Sequence, residues 1–404
     1  PDPFSSIKGQ NTTIRYTIHR EGMTGGEFII FDAGGDIVFF NNILNLSIGT
    51  HDDLIWDGTD LNGNKLSTGV YFGYLKTKNT SFKNTIRHDW DIEESIALIS
   101  KPILELVYEA QTLHRLYFKK NKIQMSKLLS IKTGSCPEDC AYCPQSAHYN
   151  VELKQEPLMS LEKVKKAAQK AYSEGATRFC LGAAWRGPTD KDLDKVCEMV
   201  AEVKALGMES CVTLGLLKDG QAEKLAKAGL DYYNHNIDSS EEYYGSIIST
   251  RNFQDRLDTL RRVRQSGLKV CCGGIVGMRE SREDRADMLR TLANLDKHPE
   301  SVPINLLIKI PGTPLEKVDD LNPIELVRVI AAAKIMMPKS TVRLSAGRAS
   351  MSTSTQTLCF MAGASSIFMG DVLLTAENSG DDEDKKMFQQ LGLVSEKNIE
   401  IKKL

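Results

Sequence analysis

Cysteine is missing from the first third of this 404-residue chain; all nine cysteines lie at or beyond Cys136. A disulfide framework would be dense in a short chain, so an odd count scattered through a long one points to reduced thiols. An excess of one charge is missing too. Fifty-one Lys and Arg face 53 Asp and Glu, a net charge of −2, which gives nucleic acid or an anionic membrane no electrostatic hold. No apolar run reaches the ~18 residues of a membrane-spanning helix. The opening Pro1-Asp2-Pro3-Phe4 has no basic stretch and no apolar core, so no secretory signal is expected. Together these absences predict a cytoplasmic chain, with room for one large domain and one small one.

Residues 1–85 have the texture of a small antiparallel β-sandwich. Thr12–Ile18 alternates, Glu27–Asp32 is a short apolar run, and turn signals recur at Gly34-Gly35-Asp36, Asp57-Gly58, Asn62-Gly63-Asn64 and Thr68-Gly69. The run Trp56-Asp57-Gly58-Thr59-Asp60-Leu61-Asn62-Gly63, followed by Gly69-Val70-Tyr71-Phe72, resembles the immunoglobulin-like domain of flagellar hook-capping proteins. That resemblance spans about residues 10–80 and implies a structural or docking module. A gene fusion or a mis-set reading frame would place such a module ahead of an enzyme.

Residues 86–404 read differently. A helical stripe through Ile96, Ile99, Ile103, Leu106, Val107, Ala110, Leu113 and Leu116 leads in, with Pro102 starting or kinking a helix. Strand-like runs follow at 127–133, 177–184, 209–215, 231–238, 269–276, 302–310, 341–347 and 365–370. Helical segments alternate with them at about 160–174, 190–206, 219–228, 253–266, 281–295, 323–336 and 353–362. Ser160, Asp219 and Asn322-Pro323 mark starts; Gly175, Gly207, Gly229 and Gly267 mark stops. Eight strands with helical crossovers predict an α/β fold, a (β/α)8 TIM-type barrel whose site lies at the C-terminal strand ends.

The segment after the first strand, Ser130-Ile131-Lys132-Thr133-Gly134-Ser135-Cys136-Pro137-Glu138-Asp139-Cys140-Ala141-Tyr142-Cys143-Pro144-Gln145, carries three thiols at C-x3-C-x2-C spacing. Its prolines exclude a continuous helix. Three thiolates are one short of a closed zinc site, which a fourth cysteine could complete. They also suit an iron–sulfur cube with one open iron. Parity along the strands puts further polar residues inward: Arg178 and Cys180, Cys211 and Thr213, Cys271, Arg343 and Ser345, Asn305, and the ladder Asn234, Asn236, Asp238. A barrel interior is ordinarily Val, Ile and Leu, and unpaired polar groups there are costly. Each cysteine alone could be a small buried apolar residue; Cys197 and Cys359 are read so, and Cys272 faces away.

The three-cysteine spacing with an aromatic before the last cysteine resembles the radical S-adenosylmethionine (SAM) superfamily. The fuller string resembles the biotin synthase family, as do Arg178-Phe179-Cys180, Gly182-Ala183-Ala184-Trp185-Arg186, Cys211-Val212-Thr213-Leu214-Gly215, Tyr233-Asn234-His235-Asn236-Ile237-Asp238, Cys271-Cys272-Gly273-Gly274-Ile275-Val276-Gly277 and Val342-Arg343-Leu344-Ser345-Ala346-Gly347-Arg348. The resemblance covers about residues 88–395. It implies sulfur insertion into dethiobiotin, a [4Fe–4S] cluster on Cys136, Cys140 and Cys143 with SAM on the open iron, and a [2Fe–2S] cluster on Cys180, Cys211, Cys271 and Arg343. Catalytic roles fall to Cys136, Cys140, Cys143, Cys271 and Arg343. Cofactor and substrate contacts fall to Tyr142, Ala183, Asn236, Asp238, Ile275 and Asn305, with the Gly273-Gly274 backbone near adenine. It further implies an electron donor such as flavodoxin or ferredoxin, and a homodimer. An arginine as iron ligand is chemically awkward, since a guanidinium is normally cationic; pairing with a barrel carboxylate or with cluster sulfide is the alternative. The chain departs from the family at Arg279, where a small residue is usual, and at Asp371-Val372-Leu373. Another radical SAM enzyme, of mutase or methylornithine-synthase type, would not need the inner set. A non-catalytic binding protein would use the N-terminal module alone.

Overall fold

The computed structural model describes residues 12–18, 23–33, 36–43, 49–67, 71–79 and 86–399. Two compact units divide at residue 85. In the first, the described strands are β1 (Thr12–Ile18), β2 (Met23–Phe31), β3 (Ile37–Ile43), β4 (Gly49–Trp56) and β5 (Phe72–Asn79). β1 pairs antiparallel with β4, and β2 lies antiparallel between β3 and β5. Both small sheets feed one core of Phe28, Ile30, Val38, Ile43, Leu54 and Trp56. The Trp56 indole N–H donates to the Thr59 carbonyl at 3.0 Å, so the Asp57-Gly58 turn is tied to that core. The expected turns at Gly34-Gly35 and Thr68-Gly69 lie outside the described residues.

The second unit opens with α1 (Ile92–Ser100) and α2 (Ile103–Tyr117), and Pro102 is the residue before α2. Leu106, Ala110 and Leu113 are buried, but Leu116 is 62% exposed and leaves the expected stripe. Strands and helices then alternate: β6 (Lys122–Lys132), α3 (Leu161–Ser173), β7 (Arg178–Ala183), α4 (Asp190–Ala205), β8 (Glu209–Thr213), α5 (Gln221–Lys227) and β9 (Tyr232–Asn234). After the short α6 (Glu241–Tyr244) come α7 (Phe253–Gln265), β10 (Lys269–Cys271), β11 (Gly274–Val276), α8 (Arg282–Ala293), β12 (Ser301–Leu306), α9 (Pro323–Met336), β13 (Thr341–Leu344), α10 (Thr353–Met361), β14 (Ala364–Phe368) and α11 (Asp381–Leu391). All barrel pairings from β6 to β14 are parallel, and β14 returns to β6, so the sheet closes as a (β/α)8 barrel.

Three expectations need correction. The fifth strand is interrupted at Cys272-Gly273 and continues as β11. The fourth is a regular strand only to Asn234; His235 and Ile237 still donate to the Cys271 and Gly273 carbonyls, and the pairing runs on as an isolated bridge to Asp238, at φ +68°. Asp219 does not cap α5; Gly220 takes that position, while the Asp219 carboxylate accepts from Arg262 Nε at 2.6 Å. The other expected starts hold: Asn322 Oδ1 accepts from the Ile324 amide with Pro323 in the first turn, and Ser160 is the N-cap of α3, without a side-chain capping bond. Two caps not anticipated are the capping boxes of Asn252 with Asp255 and Ser281 with Asp284.

The barrel has two apolar regions. The large one, between strands and helices, includes Cys272 and Cys359. The second is a small interior cluster of Cys180, Cys211, Tyr232, Cys271, Phe368 and Leu373. Neighbouring residues on a strand point to opposite faces, so Cys271 looks inward and Cys272 outward. Cys197 is half-buried on α4, its thiol 3.9 Å from the Lys224 carbonyl.

Candidate active site

The three-cysteine loop leaves β6 through Gly134 (φ +75°) and Ser135 (φ +52°). Backbone bonds close it: the Cys136 amide to the Gln145 carbonyl (2.9 Å), the Ala147 amide to the Cys136 carbonyl (2.7 Å), and the Cys143 amide to the Cys140 carbonyl (2.9 Å). A second loop, between α6 and α7, grips it from outside. The Ala141 amide donates to the Ile247 carbonyl at 2.9 Å. The Asp139 carboxylate accepts from the amides of Ser249 (2.9 Å) and Thr250 (3.1 Å), and from both their hydroxyls. Burial opposes the charge on Asp139, yet these donors hold its carboxyl down at about 2. Glu138, 2% exposed, accepts from the Thr250 hydroxyl and lies 3.2 Å from Arg186 and 3.8 Å from Arg251. This clamp escaped the sequence reading, because its halves lie about 110 positions apart with no shared pattern.

Burial pushes the Cys140 thiol up to about 11 and the Cys143 thiol up to about 12, and raises Cys136 as well. Thiols in such a setting become thiolates when a cationic centre compensates the charge, as iron does.

Deeper in, strand register sets the second group. Cys180 on β7 is opposite Cys211 on β8, and Cys271 on β10 is opposite Asn234 on β9. Cys211 interacts with both other thiols, which push it up. Cys271 is drawn down to about 6 by the Cys211 thiol, against burial, with help from the Arg343 and Arg178 guanidiniums. Among the described residues Arg343 has no carboxylate partner. Its Nε donates to Ser366 Oγ (2.9 Å), its Nη2 donates to Ser126 Oγ (3.0 Å) and Gln124 Oε1 (3.3 Å), and its guanidinium stacks on Phe368. Arg178 takes the carboxylate instead: Nε and Nη2 both donate to Glu209, beneath the Tyr232 ring. The carboxylate alternative for Arg343 therefore falls.

One cavity of about 330 Å³ is lined by all the expected cluster ligands and side-chain contacts, Cys136, Cys140, Cys143, Cys180, Cys211, Cys271, Arg343, Tyr142, Ala183, Asn236, Asp238, Ile275 and Asn305; Arg178 and the Gly273-Gly274 backbone are not among its lining residues. Several of these side chains are already engaged. Asp238 pairs with Arg256, whose Nε donates to Tyr244 Oη at 3.0 Å. Asn236 Oδ1 accepts from the Gly273 amide (3.2 Å); Asn305 donates to the Gly274 carbonyl (3.0 Å) and accepts from the Ala346 amide (3.2 Å). The glycines answer to packing as well. A Cβ on Gly273 would lie 1.9 Å from the Pro303 carbonyl oxygen, and one on Gly274 2.1 Å from Met288 Sδ. Asn234 donates to Thr213 (2.9 Å), but its Oδ1 is buried without a partner among the described residues, as is Nε2 of His235.

Among the described residues no three Cys, His, Asp or Glu side chains are arranged around a single metal ion. A [4Fe–4S] cube gives each thiolate its own iron and a [2Fe–2S] cluster spreads four ligands over two irons, so sulfurs spread along one cavity wall suit clusters better than a single ion. The residues present thus fit two iron–sulfur groups, one on the loop and one on the strands.

Residues 130–292 match the radical SAM superfamily, and residues 303–394 match the Biotin and Thiamin Synthesis associated domain. The chain is similar to the biotin synthase of Methylococcus capsulatus (62% identical, covering 76% of this chain and 94% of the relative). It is also similar to that of Alkalilimnicola ehrlichii (58%, covering 78% and 95%). Among solved structures, a methylornithine synthase (TM-score 0.64, 19% identical, covering 76% and 94%) and the hydrogenase maturase HydG of Carboxydothermus hydrogenoformans (0.67, 17%, 76% of each) share the fold. With both domains matched and about three-quarters of the chain aligned to such relatives, the chain belongs to the biotin synthase family.

Proposed function

We propose that the chain makes biotin from dethiobiotin with its two thiol sets in separate roles. Cys136, Cys140 and Cys143 would hold the [4Fe–4S] cluster, leaving one iron for SAM; Cys180, Cys211, Cys271 and Arg343 would hold the [2Fe–2S] cluster. When bound, the outer cluster and SAM supply a carbon radical able to take hydrogen from unactivated C–H bonds, and the inner cluster supplies sulfur. The chain's own part is placement. The carrying observation is that both sets line one cavity, so a substrate held between them reaches both.

Tyr142, Ala183 and Ile275 offer apolar and backbone contact for the adenosine. Asn236 and Asp238 suit ribose hydroxyls and the ureido ring, and Asn305 suits the ureido ring. Asp238, fixed by Arg256, presents an oriented acceptor. Arg343 is held by three neutral partners, so its charge is not neutralised by a carboxylate and is available to sulfide or iron-bound sulfur. The mostly apolar wall, with Leu128, Leu306 and Leu373, keeps water from a reactive intermediate.

The wider assignment includes a low-potential donor such as flavodoxin or ferredoxin, a homodimer, and a cytoplasmic setting. Exposed Leu104 and Tyr108 on α2 support an interface. No helix among the described residues is long and apolar enough to cross a membrane. Residues 1–85 act as an immunoglobulin-like docking module, supported by two antiparallel sheets on one core.

Substituting Cys271→Ser tests the division of labour. Biotin formation should fall at least about 100-fold while 5′-deoxyadenosine release falls no more than about tenfold. Equal loss of both products contradicts it and favours a single-cluster isomerase.

A further inference from the structure

Arg251 makes a contact that ligation of iron does not require. Its Nη2 donates to Cys140 Sγ at 3.2 Å, and its side chain is 6% exposed. Backbone amides face the other two loop thiols, Glu138 at Cys136 and Gln145 at Cys143. Among the described residues only Cys140 receives a side-chain donor. Of the other nearby cations, Lys132 spends its ammonium on the carbonyls of Gly134 and Ala184, and Arg256 pairs with Asp238. Arg251 is fixed from behind: Nε donates to Tyr244 Oη at 3.1 Å, the phenol oxygen that also takes Arg256. Docking of the loop rests chiefly on Asp139, which binds Ser249 and Thr250; Arg251 adds to it only a 3.8 Å approach to Glu138.

We infer that Arg251 is a positioning residue that sets the reduction potential of the outer cluster, an inference resting on the assignment of Cys136, Cys140 and Cys143 as its ligands. Reduction moves one electron from the donor protein, or from dithionite, to the cluster; no bond breaks and no proton moves. The added negative charge spreads over the sulfurs. A fixed cation hydrogen-bonded to one ligand sulfur stabilises the reduced form more than the oxidised form, and the shielded site strengthens the effect. Arg251 thereby brings the cluster within reach of its donor.

The test is an EPR-monitored redox titration of the anaerobically reconstituted enzyme, with iron and sulfide counted, for Arg251→Leu, Arg251→Gln and Arg186→Gln. Arg186 touches the same clamp, 3.2 Å from Glu138 and 2.6 Å from the Thr250 carbonyl, but meets no sulfur. At a fixed potential, Arg251→Leu should lower the ratio of reduced to oxidised outer cluster about tenfold, ~59 mV for one electron. Arg251→Gln should shift it less, and Arg186→Gln should leave it unchanged. An unmoved potential in Arg251→Leu, or in Arg251→Gln should the leucine variant take up no outer iron, overturns the inference. An equal shift in Arg186→Gln also overturns it, by showing a loosened loop. Wild-type enzyme without an outer-cluster signal would instead overturn the ligand assignment.

Discussion

The outer and inner cysteine sets reach the same cavity by opposite means. The outer three sit on a loop with two prolines, whose shape depends on side chains from a distant segment, above all Asp139 against Ser249 and Thr250. The inner three sit on β7, β8 and β10, where parallel register alone brings Cys180 and Cys211 level and turns Cys271 inward. A strand gives position through its neighbours' backbone; a loop must be held by specific polar contacts. The outer site should therefore be lost by local substitutions around its loop that spare the inner one, and the inner site should fail only with one of its own ligands or with the barrel.

The strongest way to separate them is Cys140→Ala. SAM cleavage should vanish while the [2Fe–2S] absorption stays; 5′-deoxyadenosine made without the cube would break the distinction. Removing the clamp rather than a ligand gives a smaller effect. Asp139→Ala should weaken retention of outer iron by about 10–100-fold, read as release to a chelator, with inner iron unaffected. Parallel loss of both clusters would show that the loop is not independently held.

The frame beneath the inner set has its own sensitivity. Lys334 on α9 is fully buried, its ammonium donating to the Ser340 carbonyl (2.7 Å) beside the Phe118 ring, and burial lowers it to about 7. Between that value and its ordinary 10.5 the unfolded chain carries the extra proton, so stability should rise with pH across this window and be lost as pH falls toward 7. Lys334→Met should flatten that rise, worth on the order of a few kcal/mol, in urea midpoints at pH 7 and 9.5. An unchanged slope would place the lysine's charge elsewhere. The smallest effect belongs to Arg279, a non-glycine residue at φ +76°. Arg279→Gly should relieve that backbone and stabilise the unit by about 0.5–1 kcal/mol, seen as a higher melting temperature. No change, or a fall, would show that the arginine side chain has a role of its own.

Arg279 also illustrates what the sequence made legible. It stood out as a departure from the family where a small residue is usual, and the left-handed backbone supplies the reason. The alternation of strand and helix, the inward parity of Cys180, Cys211, Cys271 and Arg343, and the outward turn of Cys272 could be read from spacing and resemblance, because period 2 survives into the fold. What could not be read was pairing across sequence. Nothing in Ser249-Thr250-Arg251 announces a partner near residue 139, and Asp238 gave no sign that Arg256 would hold it. Equally, a barrel carboxylate was an alternative partner for Arg343, but the carboxylate pairing falls to Arg178 and Glu209. Leu116 fits the helical stripe by spacing yet points outward, because the stripe ends with Leu113 and His114 turning in.

Two different iron–sulfur groups in one barrel are tested most directly by iron and sulfide analysis with Mössbauer spectra of the anaerobically reconstituted protein. [4Fe–4S] and [2Fe–2S] components should appear together, with about two irons in the first for each one in the second. A single cluster type, with Cys180, Cys211 and Cys271 remaining as free thiols to alkylation, would contradict it.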